Sequence, residues 1–423
     1  EERGPNGEPA NEMYRVLRKQ MQGTKTASSM ANAQLDALLA AAGFQRTLGD
    51  SRLFVLKHDE YGRVRLAMLS DDGLGAAEKE IGIKYTLDTV KRVYVLSHHG
   101  PWQFHRGFEV WHDRNGMAGI TATRMIEEGI EELMPGELRY RPSGPCSTNI
   151  KKLELDPVPT EGEAGYARWA GRVAWFRKAA GWAIHTCQVH DAALFTLSEL
   201  CGKAKSPSEM CVKEMKHMLC WLYEERFKGR TYGKPGGSSL KAPPIEQIKK
   251  ELNDPTAPVP FYLHLYIDSD LAAASRWSVV VMLNGAPIMS RTRLQHSIAI
   301  DITDAESYAY SVGGVLAELI RGRLEDIGHA ELTVEATPIG TDNDATLRIA
   351  SDAASAKRAL HILRRMGHVR WATDMKMIVA IKMDRTLNLS DVNTHYCTKE
   401  EHKRAEPKFR GLTVKKASDE KPK

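Results

Sequence analysis

The spacing of apolar and polar positions divides the chain into stretches of different period. An opening arm, EERGPNGEPANE (1–12), has none. Within 31–43, Leu35, Leu38 and Leu39 recur at helical spacing and stop at Gly43, which predicts a helix. Residues 52–57 and 64–69 then read as two short strands joined by a turn at Tyr61 and Gly62, leading into Ser70, Asp71 and Asp72. Strands are expected at 92–97 and 108–112, a turn at 113–116, and a helix at 121–133. From Tyr166 to Leu222, residues such as Trp169, Trp175, Phe176, Leu194 and Leu219 predict a largely helical block.

Pro, Gly and Ser concentrate between Gly233 and Pro260, so a linker with a short helix at 245–252, and the main domain boundary, are expected there. Beyond it, 261–267 alternates as a strand, and Asn284-Gly285 between apolar runs predicts a hairpin over 278–289. A strand at 297–302 follows. Ala309, Val312, Leu316 and Ile320 share one face of a helix at 305–327. A strand at 332–336, a helix at 345–366, a strand at 377–383 and a short helix after Leu389 complete the order. The class is α+β or α/β, with a mixed sheet and flanking helices.

The length of 423 residues suggests two to three domains, and 42% hydrophobic with 27% charged residues suffices for ordinary cores, which excludes collagen-like or fully disordered chains. No apolar run reaches the roughly 18–20 residues of a membrane helix, so no membrane partner is expected. Fifty-nine Lys and Arg against 54 Asp and Glu give +5. Nine basic and five acidic side chains fall within 397–423, a basic tail on nearly neutral domains. Cys146, Cys187, Cys201, Cys211, Cys220 and Cys397 form no CxxC pair and show no metal-ligand spacing, which points to a reducing compartment. The adjacent His98 and His99 do not share a face and read as structural. The start at Glu1 fits a trimmed precursor that has lost a targeting segment, or a fragment.

Four carboxylates stand where expected elements end or begin: Asp268 closing a strand, Glu306 opening a helix, Asp342 after a strand, and Asp391 at the last helix. Such a cluster supplies hard oxygen ligands for divalent cations that stabilise the attacking and leaving oxygens of a phosphodiester. The arrangement resembles ribonuclease H, and the local words resemble the ribonuclease H domain of copia-type retrotransposon polyproteins. YIDSDLA (266–272) looks like YxDSDWAG, and SRWSVVVMLNGAPIMSRTRLQHSIAI looks like an RRSTSG-strand-NG-strand-Q stretch. ITDAESYA (302–309) is similar to SSTEAEYIA, TDNDA (341–345) to TDSxxA, and NLSDVNTH (388–395) to NPADxxTK.

Upstream, VLRKQMQGTKTASSMANAQLDALLAAAGF (16–44) resembles the LxKALYGLKQAPRxWxxxxxxxLxxxGF stretch of the reverse transcriptase in the same polyprotein. LAMLSDDGLGA (66–76) occupies the place of the YVDDLL hairpin, and YARWAGRVAWFRKA (166–179) is similar to YRxxVGSLxYL. The stretch 205–233 is similar to the helix before the ribonuclease H domain. The resemblance implies an extended arm (1–12), a partial palm-like region (13–160), a helical thumb or connection region (161–233), a linker (234–260), a ribonuclease H-like domain (261–396) and the basic tail (397–423).

The departures bear on activity. Nucleotidyl transfer needs a further aspartate from an earlier strand, which the sequence lacks, so Asp71 and Asp72 read as a vestigial polymerase pair. For the nuclease all four acids are present, but the family's Arg-His pair appears as Arg370-Trp371, DSDWAG as DSDLAA and TKPL as THYC.

Two functional expectations follow from the resemblance. The first is a structural RNA-binding subunit of a large ribonucleoprotein alongside other proteins, with the mitochondrial ribosome, hence the mitochondrion, as the assembly it suggests; otherwise the cytoplasm or nucleus. Terminal arms of this composition, if ordered, need a partner surface. The second is a ribonuclease H that cuts the RNA of RNA:DNA hybrids, with Asp268, Glu306, Asp342 and Asp391 holding Mg²⁺ or Mn²⁺. Candidate nucleic-acid contacts are Lys357, Arg358, Arg364 and Arg365 on the second helix, Lys408, Arg410, Lys415 and Lys416 in the tail, and Arg276, Arg291 and Arg293 near the hairpin.

Overall fold

The computed structural model describes residues 27–411 except 70–71, 99, 101–102, 114, 138–139, 235, 238 and 353–359. The arm 1–12 and the end of the tail, with Asp71, His99, Lys357, Arg358, Lys415 and Lys416, lie outside the described residues, as does the side chain of Asp72. The described chain is mixed α and β with several sheets. Two compact units divide at Gly100 and Pro101: residues 1–100 with 326–328, and residues 101–325 with 329–423. The Pro- and Gly-rich stretch 234–260, expected as linker and boundary, lies inside the second unit. No helix among the described residues is long and apolar enough to cross a membrane.

In the first unit, α1 (Ala27–Ala41) ends before Gly43, whose φ of +86° suits a helix C-terminal reversal. Strands β1 (Gln45–Arg46), β2 (Leu53–His58), β3 (Gly62–Leu69) and β4 (Asp72–Ala77) form an antiparallel sheet in chain order, followed by α2 (Glu80–Lys91). Leu35, Leu39, Phe54, Leu56, Val64 and Leu66 make its core. The periodicity gave no sign of α2, because its buried face is Gly82, Thr86, Thr89 and Val90, small or polar but for the last. Gly82 is required there: a Cβ would lie 2.6 Å from the Tyr61 carbonyl oxygen. The strand expected at 92–97 is absent; Val93 and Val95 face solvent, and Tyr94 and Leu96 pack on the core without a pairing strand.

The second unit opens with β5 (Phe104–His105), β6 (Phe108–His112) and β7 (Ala118–Thr121), an antiparallel sheet completed much later in the chain by β8 (Arg230–Tyr232). Between β7 and β8 lie the helices α3 (Thr123–Leu133), α4 (Tyr166–Thr186), α5 (Leu194–Gly202) and α6 (Glu209–Glu225). Helix α7 (Ile245–Leu252) buries Ile248 and Leu252 in the same core as Phe176, Met215, Tyr266 and Met282.

A five-stranded sheet follows, built from β9 (His264–Ser269), β10 (Arg276–Leu283), β11 (Ala286–Leu294), β12 (Thr337–Thr341) and β13 (Ile378–Lys382) in the order β11-β10-β9-β12-β13. The first three are antiparallel neighbours, and β12 and β13 run parallel to β9. Asn284 and Gly285, with φ of 57° and 85°, make the tight turn that the Asn-Gly pair announces. Helix α8 (Ile302–Asp326) lies close on β9, since a Cβ on Gly313 would come within 2.7 Å of Ile267. Then come α9 (Asp344–Ser351), α10 (Leu360–Asp374) and α11 (Lys399–Arg410).

Several expectations are corrected here. In place of the strand expected at 297–302, residues 297–301 are irregular, with Ile298 and Ile300 in solvent, and Ile302 opens α8. The strand expected at 332–336 lies instead at 337–341; Val334 is exposed, and the true strand, TPIGT, carries one large apolar residue. The helix expected at 345–366 is two helices, and Asp391 opens a short 3-10 turn, Asp391–Asn393, rather than an α-helix. The first half of the expected tail is α11, capped by Thr398 and Glu401 and anchored by buried Ala405 and Phe409.

Candidate metal centre

The architecture brings the four sequence-predicted acids to the carboxyl ends of β9 and β12. Asp268 is the penultimate residue of β9, Asp342 follows β12 directly, and Glu306 sits in the second turn of α8. Gln295, just past β11, ties these elements together: its Nε2 donates to Ser269 Oγ (2.7 Å) and to the Ala305 carbonyl (3.0 Å). The loop bearing Asp391 is fastened to β9 by Asn388 Nδ2, which donates to the Ile267 carbonyl (2.8 Å), and by Ser390 Oγ, which donates to the Tyr266 carbonyl (2.7 Å).

Carboxylate oxygens of Asp268, Glu306 and Asp342 lie within 4.8 Å of one another. Asp268 is 5% exposed, Glu306 3% and Asp391 8%. Burial, reinforced by the Asp391 charge and then Asp342, holds the Asp268 carboxyl well above its ordinary range, against a hydrogen bond from Thr394. Glu306 is raised by burial and then by Asp268 and Asp342; Asp342 is raised by burial and Asp391. One Glu306 oxygen accepts from the Ser269 amide (3.3 Å), while the other is buried with no hydrogen-bond partner. Arg385 supplies the nearby positive charge, its Nε donating to Asp391 (3.2 Å). His395 Nδ1 lies 3.7 Å from the same oxygen.

A site that buries like charge and leaves a carboxylate oxygen unsatisfied suits a divalent cation, whose charge reverses each of these penalties. All four positions come from the sequence. Thr394 lies within NLSDVNTH without standing out there, and Arg385 carries no periodic or motif signal.

No protein-family model matches the chain, and no curated protein matches it. The resemblance to retroelement proteins therefore rests on the sequence words alone.

The basic candidates fare unevenly. Arg364 on α10 and Arg291 and Arg293 on β11 are exposed. Arg365 is held by Asp304 and stacks over Tyr308, 5.1 Å from its ring centroid. Arg276 is 2% exposed and grips Glu199 and Ser198, so it cannot reach a nucleic acid. Arg410 is buried between Glu225 and Glu406, and Lys408 is half-buried, which lowers its pKa. The charge of Arg410 is neutralised within the fold.

Proposed function

We propose that residues 261–396 form a ribonuclease H-like domain that holds Mg²⁺ or Mn²⁺ among Asp268, Glu306, Asp342 and Asp391 and cuts RNA paired to DNA. The observation that carries this reading is the convergence of three carboxylates, Asp268, Glu306 and Asp342, from separate elements, with Asp391 near enough to raise Asp268 and Asp342 and one buried Glu306 oxygen left without a donor among the described residues. The order β11-β10-β9-β12-β13, antiparallel on one side of β9 and parallel on the other, makes a mixed sheet, the class of sheet the resemblance implies. When bound, the cation supplies positive charge that stabilises the attacking and leaving oxygens of a phosphodiester.

The chain's own residues prepare that site. The Ser269 amide orients Glu306, Thr394 orients Asp268, and Arg385 offsets part of the negative charge on Asp391. Exposed Arg291, Arg293 and Arg364 form, among the described residues, no ion pair of the kind that holds Arg276 and Arg410, and they suit contact with phosphates recognised by shape. A purely structural role in a ribonucleoprotein is the weaker reading, because part of its basic tail folds back as α11.

The test is cleavage of an RNA:DNA hybrid labelled on the RNA strand, with Mg²⁺ or Mn²⁺, beside unpaired RNA of the same sequence. The reading expects hybrid-selective products that vanish in Asp268→Asn and Asp342→Asn while circular dichroism is unchanged. A hybrid left intact by folded wild-type protein contradicts it and returns weight to the structural reading.

A further inference from the structure

A second group of ligand-type side chains stands beside the acidic site. His395, Cys397 and Glu401 each present a ligand atom within 4.8 Å of the other two. They come from the segment after the Asp391 turn and the first turn of α11, in the spacing His-x-Cys-x3-Glu. His395 Nε2 lies 3.9 Å from Cys397 Sγ. Around a tetrahedral zinc ion, nitrogen at about 2.0 Å and sulfur at about 2.3 Å stand roughly 3.5 Å apart, so only a few tenths of an ångström separate this pair from ligating geometry.

The surroundings favour metal over the other roles open to such residues. The opposite nitrogen of His395 lies 3.7 Å from an Asp391 carboxylate oxygen, longer than a hydrogen bond but on the nitrogen that a carboxylate–histidine–metal arrangement uses. Glu401 uses one oxygen in the capping box with Thr398, accepting from its amide (2.7 Å) and hydroxyl (3.0 Å). No hydrogen bond among the described residues engages its other oxygen. Cys397 is buried, and among the described residues the hydrogen-bonding contacts of its sulfur are to the Val392 and His395 carbonyls, both at 3.7 Å, besides the imidazole. Burial also pushes its thiol pKa up, which disfavours a nucleophilic thiolate in the absence of a cation.

We infer that His395, Cys397 and Glu401 bind a zinc ion, with a fourth position open to water, and that this ion fixes the segment following Asp391. Binding converts the Cys397 thiol to thiolate and releases its proton to solvent. The mixed nitrogen, sulfur and oxygen set selects zinc-like cations over Mg²⁺, so the site is chemically separable from the acidic cluster. It does not depend on the nuclease reading.

Cobalt(II) is the probe, added to the metal-free full chain. The expected result is one equivalent bound with a thiolate-to-cobalt charge-transfer band and the visible bands of a tetrahedral site, both abolished by one equivalent of Zn²⁺. Asp268→Asn with Asp342→Asn should leave these bands in place. Cys397→Ser and His395→Gln should remove them with unchanged far-ultraviolet circular dichroism, and Glu401→Gln, which keeps an acceptor for the cap, should weaken cobalt binding at least tenfold. A stoichiometric titration without a thiolate band, or a band that survives Cys397→Ser, overturns the inference.

Discussion

Replacing Asp268 by Asn isolates the electrostatic cost of the acidic site. Oxygens of Asp268, Glu306 and Asp342 lie within 4.8 Å of one another, and two like charges at that separation repel by about 3 kcal/mol at an effective dielectric constant of about 20. Proton uptake relieves part of this in the wild type, so Asp268→Asn should stabilise metal-free protein at pH 7 by about 1–3 kcal/mol, or roughly 2–5 °C in Tm. The amide keeps an oxygen to accept from Thr394. The pH dependence has a fixed sign. Asp268, Glu306 and Asp342 are raised in the folded state, so their contribution is complete below the ordinary carboxylate range and is lost as pH rises through the raised values. The variant should therefore match the wild type near pH 4 and gain on it toward about pH 8. Thermal unfolding in chelator across that range is the assay. A variant no more stable than wild type at pH 7, or one whose advantage is greatest in acid, refutes the idea that mutual repulsion is stored at this site.

Three further perturbations probe what surrounds it. Arg385→Ala should tighten Mn²⁺ binding less than about fivefold, because the competing guanidinium is largely exposed and its pairing with Asp391 is screened; calorimetric titration reads this. Gly313→Ala should destabilise the second unit by about 1–3 kcal/mol in urea unfolding, since its Cβ would meet Ile267 and push α8 off β9. Arg276→Ala should cost about 3–5 kcal/mol by leaving Glu199 with an unpaired charge, and a hybrid-binding assay below the unfolding transition should show no loss of affinity.

The parts of the fold that could be read from sequence share a physical feature: their local signal coincides with burial. Asn284-Gly285 forces left-handed backbone at two positions, so the hairpin needs no tertiary information. Ile248 and Leu252 mark α7 at helical spacing, and both are buried. Where alternation lacked burial, the reading failed, as at Val95, Ile298 and Val334, which all face solvent. Where burial lacked large apolar residues, it also failed: α2 packs through Gly and Thr, and β12 through Thr, Pro and Gly.

The acidic site was legible as four positions because each carboxylate sits at an element boundary within a recognisable word. Its support was not. Gln295, Asn388 and Ser390 hold separate elements together through side-chain hydrogen bonds that no periodicity encodes. Counting cysteines could not find the His395 group either, since it holds one cysteine and its other members are a histidine and a helix-capping glutamate. The basic candidates show the complementary error: composition marks Arg276 and Arg410 as charge available to a partner, whereas the fold pairs both internally.

The claim beneath the proposed chemistry is that the carboxylates around Glu306 hold a divalent cation. Manganese(II) binding to the metal-free full chain, read by the loss of its free-ion paramagnetic resonance signal, tests that claim most directly. Wild-type protein should take up Mn²⁺ in competition with Mg²⁺, and Glu306→Gln and Asp342→Asn should each weaken uptake by at least about tenfold, a change of roughly 1.4 kcal/mol. Uptake that is absent from folded wild-type protein, or equal in wild type and both variants, contradicts it.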